Sequence, residues 1–271
     1  MKKIRPIISC ILITGFAAPA LAHESWLEAE KFQVQTGQSL KVSIRNGENF
    51  EGGMLGYFEN RAVLFDWLQN AQRQPVTARS GDFPALGMVP ADQGLMVLIY
   101  QAAPSVLQYK TWEKFAKFAR HKGFENVKTR HLDRGLPDKM FGEVYSRFCK
   151  SLIGIGHAEG HDIDTGMETE FIAITNPYTD NLNNGFTVKL LFQGKPRMDA
   201  QIEVFERGAD KTVAISTLRT DNQGRASIPV KAGHTYLLDA VVLREPSADL
   251  AAKHNVVWET LWASLTFKVP D

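Results

Sequence analysis

Short runs of alternating apolar and polar residues dominate the N-terminal third of the chain. Leu40, Val42 and Ile44 share one face of such a run, and Asn46-Gly47 follows it as a strong turn signal. Further strands are predicted over residues 31–35, 62–68 and 94–101. Because turn residues separate these runs, the pattern predicts a β-sandwich.

The spacing of the apolar residues changes in the middle of the chain. In TWEKFAKFARHKGF, residues 111–124, aromatic residues and alanines recur every three or four positions, and Gly123 ends the run. In PDKMFGEVYSRFCKSL, residues 137–152, the residues with helical spacing are Phe141, Val144, Tyr145 and Phe148. The two stretches together predict a helical hairpin that packs against the sandwich.

Residues 154–166, GIGHAEGHDIDTG, are rich in glycine and polar side chains, which predicts a loop. After Glu168 the alternating pattern returns, with strands predicted over residues 186–192, 201–206, 213–219, 226–230, 236–243 and 261–269. The whole pattern predicts a mainly β fold: two β-sandwich domains of immunoglobulin or transthyretin type with a helical hairpin between them.

The N-terminus has its own pattern. Lys2, Lys3 and Arg5 precede a short apolar run, and Ala20-Leu21-Ala22 matches a cleavage site, which is typical of a secretory signal peptide. The predicted organisation is a signal peptide (1–22), an N-terminal β-sandwich (23–108), a helical segment (109–153), a Gly/His-rich loop (154–167) and a C-terminal transthyretin-like sandwich (168–271).

Composition narrows the choice of function. The chain is 44% hydrophobic and 23% charged, as globular proteins are. Cleavage after Ala22 would remove three of 31 basic residues and none of 30 acidic ones, leaving a net charge of −2. A net charge of −2 is not the basic charge that is typical of nucleic-acid-binding proteins. Cys149 would be the one remaining cysteine, predicted to be a buried small hydrophobe. The signal peptide predicts a periplasmic protein.

His23 is the first candidate metal ligand, because cleavage would make it the N-terminal residue. Its α-amine and its imidazole could then chelate one ion. Imidazole suits copper, nickel and zinc. The simpler interpretation is a histidine that merely follows the signal peptide.

The loop supplies a second set of candidates. His157 and His161, four residues apart with Asp162 beside them, could meet one borderline ion such as Ni²⁺ or Co²⁺. A solvated linker is the alternative. His121 and His131, which flank the turn of the predicted hairpin, are expected to be surface residues.

Motifs of catalysis are missing from the sequence. It contains no G-x-S-x-G elbow, no H-E-x-x-H pair, no P-loop and no C-x-x-C pair. We therefore predict a binding protein that is not an enzyme.

Several phrases resemble a known bacterial family. AHESWLE, YSRFCKSL, EFIAITNPY, TDNQGRASIPVKAGHTYLLDA and WETLWASLTFKV are similar to segments of the family catalogued as domain of unknown function 4198. Members are commonly described as periplasmic components of nickel or cobalt uptake. Many relatives carry a histidine in the late strand, where this chain has Ala240-Val241-Val242-Leu243.

The resemblance implies a periplasmic component of nickel or cobalt uptake that works with a metal-uptake transporter in the inner membrane. Together with the candidate histidines, it predicts a periplasmic metal-binding accessory protein for nickel, cobalt or copper. Its candidate ligands here are His23, His157, His161 and Asp162. A non-metal binding or scaffold module for a peptide, glycan or protein is the alternative. A copper enzyme that uses the N-terminal histidine ranks below both.

Overall fold

A computed structural model describes residues 23–271, which form 18 strands and three α-helices. The predicted signal peptide, residues 1–22, lies outside the described residues. The first nine strands are β1 (Glu24–Ala29), β2 (Gln33–Val34), β3 (Leu40–Glu48), β4 (Glu51–Leu55), β5 (Ala62–Gln69), β6 (Gln72–Pro75), β7 (Leu86–Met88), β8 (Gly94–Ala102) and β9 (Ser105–Tyr109).

Two helices follow these strands, α1 (Trp112–His121) and α2 (Val127–Asp133), and α3 (Ala248–His254) precedes the last strand. The remaining strands are β10 (Phe141–Ile155), β11 (Thr169–Ala173), β12 (Phe186–Phe192), β13 (Lys195–Pro196), β14 (Gln201–Arg207), β15 (Val213–Arg219), β16 (Arg225–Ile228), β17 (Thr235–Arg244) and β18 (Trp258–Lys268).

Three sheets are stacked in layers. The central sheet has ten strands in the order β15-β14-β17-β18-β10-β8-β5-β6, with β2 and β9 also pairing with β10. The N-terminal sheet, β1-β3-β4 with β7 on β3, covers one face. The C-terminal sheet, β11-β12-β13 with β16 on β12, covers the other face. The predicted mainly β fold with sandwich packing is confirmed, and the two sandwiches share the central sheet.

Apolar side chains fill the space between the layers. Leu27 and Val42 of the N-terminal sheet belong to one buried cluster with Leu98 of the central sheet. On the opposite face, Phe186 of the C-terminal sheet stacks on Phe267 with ring centroids 3.9 Å apart. Because both faces are covered, the inner strands of the central sheet are buried on both sides, which excludes water from the middle of the molecule.

The helical hairpin is present, but its second helix is not the predicted one. Residues 141–155 form strand β10 in the middle of the central sheet, where it pairs in parallel with β18. The prediction of a helix there is wrong, because a strand buried on both faces shows no alternation and its apolar residues fell by chance on a helical period. The hairpin consists of α1 and α2 instead.

Two smaller predictions are also wrong. Asn46-Gly47 lies inside β3, and the turn comes at Asn49 and Phe50, both with positive φ. Gly47 is needed there because a Cβ would lie 2.4 Å from the Cα of Gly52 on the paired strand. His131 is buried: it receives a hydrogen bond from Trp258 and donates one to the carbonyl oxygen of Pro137.

Other predictions hold. Strand β15 has the predicted limits, and Gly123 follows the end of α1. Cys149 is buried, as expected of a small hydrophobe, although in a strand. The predicted domain boundaries at residues 108, 153 and 167 stay a prediction.

Glu143 of β10 is an ionisable group within this core. Its carboxylate accepts hydrogen bonds from the hydroxyls of Tyr109 and Thr260, and it is fully buried below the hairpin. Burial outweighs these bonds and raises the pKa of Glu143 to about 7. Its contribution to stability is therefore present below about pH 4.5 and is lost as the pH rises towards 7.

We expect Glu143→Gln to remove part of the pH dependence of stability. The wild-type free energy of unfolding should fall relative to that of the variant between pH 4.5 and 7, by up to about 1.4 kcal/mol per pH unit. Urea unfolding across this range measures the difference, with Glu125→Gln as an exposed control. Parallel curves for wild type and Glu143→Gln would contradict the assignment.

Candidate functional site

A cavity of about 220 Å³ opens where the N-terminal sheet, the end of α1 and the central sheet meet. It is lined by Glu24, Glu48, Asn49, Lys117, Phe118, His121, Lys122, Glu203 and Phe205. Four of these residues carry acidic or imidazole groups, so the cavity combines oxygen and nitrogen donors with an aromatic wall.

Lys122 lies at the floor of this cavity, inside a cage of three carboxylates. Its Nζ is 3.1 Å from Glu24 Oε1, 2.6 Å from Glu203 Oε2 and 2.8 Å from Asp239 Oδ2. All four side chains are at most 8% exposed. The carboxylates come from β1, β14 and β17, so one ammonium group joins the N-terminal sheet to the central sheet.

The end of α1 brings Lys122 to this position. The N–H of Phe124 donates to the carbonyl oxygen of Ala119 and that of Gly123 donates to Arg120, which together form a Schellman motif. Gly123 has a φ of +80°, a conformation that glycine adopts without strain. The chain therefore turns sharply after Lys122, whose side chain is left pointing into the cage.

Burial and charge act in opposite directions on these groups. Burial opposes the charge on Lys122, but Asp239, Glu24 and Glu203 outweigh it and raise the pKa of Lys122. Burial raises the pKa values of Glu24 and Asp239, which leaves these two carboxyls easier to protonate. Glu203 is also buried, but the hydrogen bond from His121 and the charge of Lys122 lower its pKa. Glu203 is thus the carboxylate of the cage whose ionised form is favoured.

His121 stands above the cage at the edge of the cavity. Its Nε2 is 2.9 Å from Glu203 Oε1, and its side chain is 61% exposed. The hydrogen bond to Glu203 raises the pKa of His121. Gln201 donates to its backbone oxygen at 2.8 Å, which fixes the end of the helix. The structure confirms that His121 is a surface residue at a helix end.

His23, the first predicted ligand, lies beside the same cavity. Its Nε2 is 3.3 Å from Glu48 Oε1, and both side chains are about two-fifths exposed. Glu24, the next residue, belongs to the cage of Lys122. The hairpin of β3 and β4 positions Glu48, because the buried Phe50 at its tip packs edge-on against Trp26.

The predicted loop ligands lie elsewhere. His157 and His161 are exposed, and His157 Nδ1 accepts a hydrogen bond from the backbone of Glu159. Asp162 is buried in a second cage, where its carboxylate is 3.0 Å from Lys150 Nζ and Glu170 is 2.7 Å from the same atom. The assignment of His23, His157, His161 and Asp162 as metal ligands stays a prediction.

Among residues 23–271, one group of three ligating side chains has its donor atoms within 4.8 Å of one another: Glu24, Glu203 and Asp239. Lys122 already binds all three carboxylates, so this group carries its own cation. The structure therefore does not place His23 in a three-ligand group with the loop residues.

Sequence reasoning missed the cage, although a signal was present. Glu203 and Asp239 interrupt the otherwise apolar segments around QIEVF and TYLLDAVVL. A single carboxylate at a buried position of a strand requires a partner, since an unpaired buried charge is costly. The partner could not be identified, because Lys122 is 81 residues from Glu203 in the chain.

Comparison with known proteins identifies the family. The family described as "Domain of unknown function (DUF4198)" matches residues 20–244. The chain belongs to this family. The matched range contains Glu24, Lys122, Glu203 and Asp239, so the whole cage lies within the DUF4198 domain, whereas strand β18 lies beyond it.

The similarity of the chain to solved structures is weak. The DUF4198 chain is similar to a tetra-tandem repeat in the extending region of a large adhesion protein at 11% identity and TM-score 0.22, over 92% of this chain and 50% of that one. It is also similar to the D0-D1 domain of intimin at 13% identity and TM-score 0.21, over 89% and 97% of the two chains. A third similar structure is Salmonella alpha-2-macroglobulin reacted with methylamine, at 10% identity and TM-score 0.20, over 94% of this chain and 15% of that one.

Such low TM-scores carry no argument about fold or function. The chain spans half the length of the adhesion repeat structure. Among curated proteins, none matches the chain. In the part of the chain that the structure describes, no helix has the length and apolar character needed to cross a membrane.

We expect Lys122→Met to destabilise the protein by roughly 3–5 kcal/mol, because three buried carboxylates would lose their cation. Chemical denaturation at pH 7 measures the change in free energy of unfolding. Lys117→Met, an exposed lysine of the same helix, is the matched control and should change stability by less than about 0.5 kcal/mol. Equal stabilities of the two variants would contradict a structural role for the cage.

Proposed function

We propose that this DUF4198 protein, after cleavage before His23, is a periplasmic metal-binding accessory protein for nickel, cobalt or copper. One observation carries the proposal: the Nε2 of His23, the predicted N-terminal residue of the mature chain, is held by Glu48, which lines the cavity. The metal is the cargo of the protein in this proposal, and the site binds it without transforming it.

The contact with Glu48 favours the chemistry that chelation needs. A hydrogen bond from Nε2–H to a carboxylate fixes the tautomer of an imidazole and leaves Nδ1 with the lone pair. In His23, Nδ1 is the nitrogen that can close a chelate ring with the α-amine of the same residue. Glu48 would therefore act as the positioning residue, and His23 would supply two nitrogen donors.

The donor set suits the proposed cargo. Imidazole and amine nitrogens bind borderline divalent ions, with Cu²⁺ binding most tightly and Ni²⁺ and Co²⁺ following in that series. The resemblance to nickel and cobalt uptake components points the same way. It also supports an inner-membrane metal-uptake transporter as the partner that would receive the ion.

Processing would control such a site. In the precursor, the nitrogen of His23 is part of the peptide bond to Ala22, so it cannot donate a lone pair. Cleavage converts it into an amine that is partly neutral near pH 7.5. The site would thus form only in the compartment where the signal peptide is removed.

We expect the natively processed protein to bind Cu²⁺, Ni²⁺ or Co²⁺ in calorimetric titrations. Insertion of one alanine before His23 should weaken binding by more than tenfold, because it moves the amine away from the imidazole. The double variant His157→Gln/His161→Gln tests the loop ligands separately, and binding equal to that of the wild type would show that the loop histidines are dispensable.

Unchanged affinity in the extended protein would contradict the role of His23, provided that the loop histidines are also dispensable. Failure of the wild type to bind any of the three ions would exclude the metal function. A peptide or glycan retained through purification would then favour the alternative binding module.

A further inference from the structure

The two histidines at the cavity are held in the same way. Each presents Nε2 to a carboxylate: His23 to Glu48 at 3.3 Å and His121 to Glu203 at 2.9 Å. Among the described residues, the imidazole of His121 is engaged through Nε2 alone, which leaves Nδ1 free. A carboxylate at one ring nitrogen is the usual support of a metal-binding histidine, because it orients the ring and makes the other nitrogen more basic.

Glu203 is better suited to this task than a surface carboxylate. Its side chain is 3% exposed, and its second oxygen is bound by Lys122 at 2.6 Å. The position of Glu203 is therefore set by the cage and not by solvent. The imidazole of His121 receives a fixed hydrogen-bond partner, while its side chain lines the cavity and is 61% exposed.

A short path of contacts connects the two histidines. Glu48, the partner of His23, lines the same cavity of about 220 Å³ as His121. Glu24, the residue after His23, shares Lys122 with Glu203, which binds His121. Both imidazoles are accessible, since the side chains of His23 and His121 are 40% and 61% exposed. The two rings do not already form a three-ligand group in residues 23–271.

We propose that His121 Nδ1 is the second protein ligand of an ion bound at His23, with Glu203 as its positioning residue. This inference rests on the proposed function. With the amine and Nδ1 of His23, it completes a set of three nitrogen donors. Such a set would favour a Cu²⁺ ion.

The test uses Cu²⁺ alone as the probe and the natively processed protein. We expect His121→Gln to raise the Kd for Cu²⁺ by at least about tenfold, the lower limit of what loss of a supporting group already costs. The electron paramagnetic resonance spectrum should lose the hyperfine contribution of one nitrogen. His254→Gln is the matched control, because His254 also lies in the last turn of a helix.

The outcomes separate the two proposals. Binding of Cu²⁺ by the wild type, with weaker binding and one nitrogen fewer in His121→Gln, supports the inference. Equal affinity and equal nitrogen counts in wild type and His121→Gln overturn it and leave the His23 site intact. No binding of Cu²⁺ by the wild type overturns both.

Discussion

Two buried lysines fasten the outer sheets to the central sheet, and the rest of the structure depends on them. On one face, Lys122 binds Glu24 of the N-terminal sheet together with two carboxylates of the central sheet. On the other face, Lys150 of β10 binds Glu170 of the C-terminal sheet and Asp162 of the loop. Neither lysine could be buried without these partners, because an uncompensated charge in the interior is strongly destabilising.

The position of the predicted mature N-terminus follows from this arrangement. Strand β1 pairs with β3 along its whole length, and the hydroxyls of Ser264 and Thr266 donate to its backbone oxygens. Glu24 adds the ion pair with Lys122. A terminus held by three kinds of contact places His23 at one point of the cavity edge, while its side chain stays accessible.

Much of the fold could be predicted from the sequence, and the failures have identifiable causes. Strands with one solvated face, such as β3, reveal themselves by alternation. Strand β10 is buried on both faces, so its pattern had no period of two and was mistaken for a helix. Asn46-Gly47 has the composition of a turn, but it lies within a strand. Gly47 is needed there because the backbone of Gly52 on the paired strand lies too close for a Cβ.

Less of the candidate site than of the fold could be predicted from the sequence. His23 could be singled out because a cleavage pattern precedes it, which is local information. Its neighbours at the cavity come from positions far along the chain, and only packing brings Glu48, His121 and Glu203 together. A histidine at the end of an amphipathic helix has the appearance of an ordinary surface residue until the carboxylate beneath it is seen.

The two carboxylates that hold these histidines are not equivalent, and this decides how the proposed site would work. Glu203 is buried and bound by Lys122, so its contact with His121 is little screened. Glu48 is 44% exposed, so water weakens its contact with His23. His121 would thus be the fixed arm of the site, and His23 would be the arm that moves. Release of an ion would then begin at the N-terminus, where the amine and imidazole leave together.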